Sequence, residues 1–225
     1  MKGLVIFFCL FYGCHVAGAT GKTIMLFPQK TDTDYVTLKP TERVLNQITV
    51  CLKSYTELIK EHSLFSLAMQ GSGKDNTLLI YPYPPNNISI SIHNEDIYFK
   101  VDPEVLQWKR TCVTWDSKTG LLQLWINGKL YPRRITKSRS PIGPQISVIL
   151  GQEQDSYGGS FDINQAFVGE MSDVNVWDYV LPPENIKAYF SDDYTLDGNF
   201  YSWDGGNYTI NGLIVVLRNQ FIPKL

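Results

Sequence analysis

The stretch from residue 110 to residue 135, RTCVTWDSKTGLLQLWINGKLYPRRI, decides the fold class of this chain. It consists of short runs rich in Val, Thr, Leu, Ile and Trp, residue types that favour β-strands. The segment DSKTG, residues 116–120, separates the first run from the second, and Asn127-Gly128 is a strong signal for a tight hairpin turn. The stretch therefore predicts three consecutive strands.

The rest of the chain has the same character, and one segment predicts a helix. In residues 182–190, PPENIKAYF, a Pro pair marks a start, and Ile186, Tyr189 and Phe190 follow at helical spacing. In residues 88–101, alternation on both sides of a polar tip at residues 93–96 predicts a hairpin. Many short strands with one helix predict an all-β, two-sheet sandwich. The other predicted strands are KTIMLFP (22–28), DYVTLKP (34–40), NQITVCLKSYTEL (46–58), SLFSLAMQ (63–70), QISVILG (145–151), FVGEMSDVNVWDYVL (167–181) and GLIVVLRN (212–219).

The first residues predict a signal peptide. Lys2 supplies a positive start, the apolar run LVIFFCLFY is too short to span a membrane, and AGAT offers small residues for cleavage. We expect residues 1–19 to be removed after Ala19, to within about two residues, which leaves one domain at 20–225. No later stretch has the length and apolar character of an anchor, so we expect a secreted, extracellular protein.

The charge balance and the cysteines limit the function further. Without Lys2, the 20 basic and 22 acidic residues become 19 and 22, which gives no reason to expect a nucleic-acid partner. Cys51 and Cys112 remain after cleavage, and in an oxidising compartment we expect them to pair, the alternative being two free buried thiols. Asn87 and Asn207 begin the sequons NIS and NYT and are predicted glycosylation sites, either of which could be unused.

Residues 150–165, LGQEQDSYGGSFDINQ, gather oxygen-bearing side chains on one loop. A hard cation such as calcium takes six to eight oxygen ligands, and the absence of His and Cys from this loop argues against zinc. A second polar pair, Asp75-Asn76, precedes a strand and could complete the shell. The alternative is a solvated acidic loop, since no EF-hand pattern is present. The candidate donors of the loop are Glu153, Gln154, Asp155, Asp162 and Gln165.

Several motifs resemble the pentraxin family. CVTWDS, residues 112–117, resembles the family signature of Cys, Ser or Thr, Trp and Ser. LGQEQDSYGG, followed by FD and by FVGEMSDVNVWDYVLPPENI, resembles the family's calcium loop and the strands after it. TVCLKSYTEL, residues 49–58, resembles the segment around the first disulfide cysteine. The resemblance covers essentially the whole chain after the signal peptide.

The resemblance implies a jelly roll of two antiparallel sheets with one helix on one face, and a Cys51–Cys112 bridge. It also implies homo-oligomeric rings, with a pentamer expected and a trimer left open, and two calcium ions per subunit. The first ion would be held by Asp75, Asn76, Glu153, the main-chain carbonyl of Gln154, and Asp155. The second ion would be held by Glu153, Asp155, Asp162 and Gln165.

The resemblance also implies a ligand pocket beside the ions, formed by Leu79, Tyr81, Ser91 and Asp96. An aromatic face and a carboxylate attract a quaternary ammonium, so we favour phosphocholine over phosphoethanolamine or carbohydrate. Tyr81 could instead be an ordinary exposed strand aromatic, and Asp96 an acid at a hairpin tip.

Three positions depart from the pattern of the family. Arg110 replaces the usual His of the signature, and we expect a structural role there. Asn127 and Phe190 stand where complement-binding members carry Asp and Tyr, so complement recruitment is in doubt.

The predicted function is calcium-dependent pattern recognition by an opsonin of innate immunity. An acute-phase role is typical of the family. Enzymatic activity is not expected, because neither a paired-carboxylate strand motif of a glycosidase nor a nucleophile motif is present. A laminin-G-like adhesion module with one calcium ion is the remaining alternative.

Overall fold

The computed structural model describes residues 22–103, 106–191 and 196–220, so the predicted signal peptide lies outside the described residues. In that part of the chain the strands form two antiparallel sheets. The first sheet has eight strands, in the spatial order β10 (Lys129–Leu130), β9 (Leu121–Ile126), β8 (Lys109–Asp116), β3 (Gln47–Tyr55), β13 (Gly169–Trp177), β1 (Lys22–Phe27) and β15 (Val215–Gln220), with β11 (Arg134–Ile135) also paired to β9. The second sheet has seven strands, in the order β14 (Asn207–Asn211), β2 (Tyr35–Lys39), β12 (Ile146–Leu150), β4 (Phe65–Met69), β5 (Leu78–Tyr83), β6 (Asn87–Ile92) and β7 (Glu95–Lys100).

The two sheets pack face to face around one main core. Successive side chains of a strand point to opposite faces, so Val50 and Trp115 of the first sheet meet Ile80 and Ile90 of the second in a single buried cluster. The alternate residues of β5 and β6 point to the other face of the second sheet. The predicted jelly-roll sandwich is confirmed. Because side chains alternate between the two faces of each strand, the outer face of the second sheet can carry a binding site.

Helix α1, Pro183–Phe190, covers the outer face of the first sheet, as the sequence predicts. Ile186 and Tyr189 are buried in a cluster with Trp125 and Trp177, and the Tyr189 hydroxyl donates to the Asp173 carbonyl at 2.7 Å. Within the described ranges no helix is long and apolar enough to cross a bilayer.

Arg110 takes a structural position at the end of this helix. Its guanidinium is buried and donates to the carbonyl oxygen of Phe190, where the helix dipole places partial negative charge. The Arg that replaces the family's usual His therefore ties β8 to the C-terminal end of α1.

The Cys51–Cys112 disulfide is confirmed, with the two Cα atoms 4.1 Å apart. The two residues are direct partners in the register of β3 and β8, and both belong to the cluster beneath α1. The bridge therefore joins two central strands of the first sheet at the point where the helix packs.

Three details differ from the predictions. The third predicted strand of the opening stretch is split into β10 and β11, separated by a segment that contains Pro132, which lacks an N–H for a ladder. Strand β14 is not among the predicted strands, because its sequence NYTIN is short and begins and ends with Asn. The turn of the predicted hairpin contains only His93 and Asn94, at φ 49° and 62°, so Asp96 lies inside β7 and not at the tip.

Replacing both bridge cysteines with Ala should lower the free energy of unfolding by about 4 kcal/mol, since the bridge spans a separation of 61 residues. Urea unfolding monitored by tryptophan fluorescence measures this loss. A loss below about 1 kcal/mol would contradict an entropic role for the bridge.

The contribution of His62 to the stability of the fold should become unfavourable below about pH 6.5. Its side chain is 2% exposed, its Nδ1 lies 2.9 Å from the Lys60 carbonyl, and burial lowers its pKa to about 4. Lys109 and Lys60 lower this pKa further, whereas Glu61 and the Lys60 carbonyl oppose the shift. The unfolded chain takes up the proton near pH 6.5 and the folded chain only near pH 4, so about 3 kcal/mol of stability is lost across that window.

Urea midpoints measured at intervals from pH 7.5 to pH 4 would test this effect. The variant His62→Gln should lose less stability over the same window, because Gln does not titrate. Equal losses in the variant and the parent protein would contradict the assignment to His62.

Candidate functional site

The candidate site lies on the outer face of the second sheet, opposite the helix. Three strands present aligned rows of side chains there, because their register is continuous across the sheet. Leu79, Ser91 and Asp96 form one row, and the next row along the strands comprises Tyr81, Ser89 and Tyr98. A cavity of about 150 Å³ opens over these rows, and its lining consists of Asn76, Leu79, Tyr81, Tyr83, Ser89, Ser91, Asp96, Glu153 and Gln165.

Two buried glutamines hold the acidic loop against the sheet. The Gln154 side chain is 0% exposed, donates to the Ser66 carbonyl at 2.9 Å and accepts from the Gly158 amide at 2.9 Å. The Gln152 side chain donates to the Thr31 carbonyl at 2.6 Å. These bonds fix the main chain on both sides of Glu153.

The start and the end of the loop are fixed by local geometry. Gly151 has φ +86°, and a Cβ at this position would lie 2.3 Å from the Phe27 ring, so a larger residue is excluded. At the other end, the Asp162 carboxylate accepts from the Asn164 amide at 2.9 Å and caps a short 3-10 helix, Ile163–Gln165. This turn brings the Gln165 side chain to the cavity wall.

Four buried carboxylate or amide oxygen atoms at this cavity lack hydrogen-bond partners among the described residues. They are Asn76 Oδ1, Glu153 Oε1, Glu153 Oε2 and Gln165 Oε1. All four are carboxylate or amide oxygens, which accept hydrogen bonds. Their residues come from two distant parts of the chain. A buried polar atom without a partner costs about 1–3 kcal/mol, so the arrangement favours a bound group that satisfies several oxygens together. A calcium ion meets that requirement.

The electrostatics of the site favour a cation. Burial and then the carboxylate of Asp155 raise the pKa of Glu153 to about 7, and Asp75 and Asp96 contribute to the rise. The Asn76 amide lies near enough to oppose this rise, although neither Glu153 oxygen makes a hydrogen bond of normal geometry. Burial, Asp75 and Asp162 likewise raise the pKa of Asp155. The structure therefore brings the 75–76 segment close to the acidic loop.

Carboxylate groups alone do not form a metal site at this cavity. Across residues 22–103, 106–191 and 196–220, no three His, Cys, Asp or Glu side chains are grouped closely enough to hold a metal ion. A cation here would therefore need amide and carbonyl oxygens as well. Because the Gln154 side chain is occupied by Ser66 and Gly158, this residue could contribute only its main-chain carbonyl.

The predicted pocket residues Leu79, Tyr81, Ser91 and Asp96 all line the same cavity. Tyr81 is only 5% exposed, so it is not an ordinary exposed strand aromatic. The Ser91 hydroxyl donates to Asp96 Oδ1 at 2.5 Å and orients that carboxylate.

Tyr83 and Ser89 also line the cavity but are not among the predicted site residues. Each lies two positions from a predicted pocket residue, on the same strand and the same face. The two-residue period of β5 and β6 was the signal that could have identified them.

The fold and its oxygen-lined cavity define a β-sandwich binding protein, and similarity to known proteins identifies its family. The sequence model described as the Pentaxin family matches residues 23–218. The chain is 50% identical over 190 residues to a C-reactive protein of Xenopus laevis, covering 84% of this chain and 80% of that protein. It is 37% identical over 194 residues to the serum amyloid P-component of Homo sapiens, covering 86% of each. The chain therefore belongs to the pentraxin family.

A solved structure supports the same fold. The heptameric SAP-like pentraxin of Limulus polyphemus superposes with a TM-score of 0.80 at 24% identity, covering 88% of this chain and 95% of that chain. At this level of identity the similarity concerns the fold.

Replacing Gln154 with Ala should loosen the acidic loop, because it removes the bonds to Ser66 and Gly158 and leaves buried groups unpaired. We expect local opening to become easier by about 2 kcal/mol, measured by hydrogen exchange of residues 150–165. The control Gln145→Ala changes an exposed glutamine and should leave exchange in this loop unchanged. Unaltered exchange in Gln154→Ala would contradict the proposed clamp.

Proposed function

We propose that this chain is a secreted, calcium-dependent pattern-recognition protein of innate immunity. It binds phosphocholine-type phosphate monoesters on microbial or damaged-cell surfaces and acts as an oligomeric opsonin. The observation that carries this proposal is the set of unpaired buried oxygens at Asn76, Glu153 and Gln165, which share one cavity with Tyr81 and Asp96. Membership of a family of recognition proteins that includes C-reactive proteins supports it.

We propose two calcium ions per subunit, because the candidate donors are carboxylate, amide and main-chain carbonyl oxygens. The first would be held by Asp75, Asn76, Glu153, the Gln154 carbonyl and Asp155. The second would be held by Glu153, Asp155, Asp162 and Gln165. Calcium, when bound, supplies positive charge and open coordination positions for phosphate oxygens. Glu153 and Asp155 would be shared by the two ions, and their mutual repulsion would then be neutralised.

The cavity wall would bind the remainder of the ligand. The Tyr81 ring and the Asp96 carboxylate would each attract the quaternary ammonium by about 1 kcal/mol. Ser91 would hold Asp96 in position through their hydrogen bond. Leu79 adds an apolar contact on the same strand face. These four residues favour phosphocholine over phosphoethanolamine or carbohydrate, which are the ligands of the alternative, serum-amyloid-P-like function.

A single site of this kind binds weakly, so we propose a homo-oligomeric ring. Several sites on one face of a ring gain avidity on arrayed ligands without any new contact. We expect a pentamer, with a trimer as the alternative. The heptamer named for the Limulus pentraxin is a property of that protein.

Secretion and glycosylation belong to the same proposal. The signal peptide 1–19 would direct export, and Asn87 and Asn207 are both exposed, as an acceptor for a glycan must be. We do not propose complement binding, since Asn127 and Phe190 lack the carboxylate and hydroxyl of complement-binding members.

Two other functions make different predictions. A laminin-G-like module would take about one calcium ion per chain in a calorimetric titration, whereas the proposed site takes about two. An enzyme would consume an oligosaccharide over time, and we expect no such loss with the pure protein.

Replacing Glu153 with Gln should weaken calcium binding at both sites by about tenfold or more, because one shared carboxylate loses its charge. Calorimetry measures the affinity, and immobilised phosphocholine measures its consequence: the parent protein should be retained with calcium and released by chelator. The control Glu184→Gln makes the same change at an exposed position of α1 and should bind calcium normally. Retention that is indifferent to calcium would contradict the proposed function.

A further inference from the structure

Tyr83 is the aromatic side chain of the cavity that the proposed function does not use. It follows Tyr81 by two positions on β5, so the two side chains share the outer face of the sheet. Their ring centroids are 5.1 Å apart and the ring planes are inclined by 61°. Two walls of the cavity are therefore aromatic and meet at an angle.

Tyr98 holds the Tyr83 ring in this position. The two ring centroids are 5.6 Å apart and the ring planes are inclined by 48°. Burial and then the nearby Tyr98 side chain raise the pKa of Tyr83 to about 12, so its phenol stays neutral at physiological pH. Tyr98 itself is 54% exposed on the edge strand β7, where it supports Tyr83 from outside the cavity.

Small residues on β6 keep the space between these rings open. Ser89 lies between Tyr81 and Tyr98 in the strand register, where a larger side chain would fill the cavity. Ser89 is 2% exposed, lines the cavity, and its hydroxyl has no hydrogen-bond partner among the described residues. The space is therefore built into the sheet, with a buried polar atom aimed into it.

The charges around this space favour a cation at one end. Asp96 lies on the Ser91 row beside the aromatic walls, and its carboxylate is near enough to contribute to the raised pKa of Tyr83. Lys100 is exposed and lies four residues after Asp96 on β7, in the register row of Asn87 and Tyr83. A cation would therefore lie on the Asp96 side of Tyr83, next to Tyr81.

We propose that Tyr83, held by Tyr98, is a specificity-determining residue that forms an aromatic cage with Tyr81 and Asp96 around a quaternary ammonium. This inference rests on the proposed function. The cage makes the site select the fully methylated head group over head groups with fewer methyl groups. A trimethylammonium is weakly hydrated and binds well to aromatic faces. A primary ammonium is more strongly hydrated and has three N–H donors, and Asp96 and Ser89 could accept only some of them, so the aromatic faces replace its lost water less completely.

The test is a series of phosphoethanolamine, its N-methyl and N,N-dimethyl derivatives, and phosphocholine, titrated into the calcium-loaded full-length protein. Affinity should rise with each methyl group, to about tenfold across the series. In Tyr83→Leu, which keeps apolar bulk but removes the ring, the ratio of the affinity for phosphocholine to the affinity for phosphoethanolamine should fall to about twofold. Tyr83→Phe should keep most of the ratio because it keeps the ring. The control Tyr208→Leu lies on β14, at the opposite edge of the sheet, and should behave as the parent protein.

The possible failures are distinguishable. If phosphocholine binds with calcium but the affinities of the series do not rise in the parent protein, the cage is wrong and the proposed function stands. The same conclusion follows if Tyr83→Leu keeps the full ratio. If Tyr83→Leu instead loses affinity for a free hexose and not for methylated ligands, the tyrosines form a sugar platform and the cage is again wrong. If no ligand of the series binds with calcium, both proposals fail.

Discussion

The repulsion between neighbouring carboxylates is the constraint on which the candidate site depends. Glu153 is buried close to Asp155 and Asp75, and a free loop would relieve the repulsion by moving apart. The side-chain hydrogen bonds of Gln152 and Gln154 oppose that movement, because they attach the main chain on both sides of Glu153 to the sandwich. The packing of the sandwich thus holds these carboxylates close together, which is unfavourable unless a cation neutralises their charge.

The fold was largely predictable because its signals are local. Alternation in β6 and β7 and the Pro pair before α1 each depend on a few neighbouring residues, and the two cysteines left after the predicted cleavage allow one intrachain pairing. The missed strand β14 is a short run with Asn at both ends, and it forms by pairing along β2, which lies far away in the sequence. The division of the predicted third strand into β10 and β11 likewise follows from how each piece pairs with β9.

Sequence motifs identify the oxygen-bearing residues of the candidate site, but they do not identify every side chain that lines its cavity. The proposed oxygen donors belong to short motifs, so the sequence alone identifies them as candidates. Tyr83 and Ser89 belong to no motif: the two-residue period places them on the same face as Tyr81 and Ser91, but their part in the cavity depends on the register of three strands and on burial. That the Ser89 hydroxyl lacks a partner follows only from the packed structure.

Inward and outward side chains alternate along β5 and β6, and this alternation affects how such proteins can diverge. Neighbouring positions of one strand serve different purposes, since Ile80 and Ile90 pack inside while Tyr81 and Ser91 face the cavity. A substitution at an outward position can change the lining of the cavity with little disturbance of the interior. Two descendants of one gene could thus acquire different targets through a few exchanges at every second residue, while sharing one scaffold.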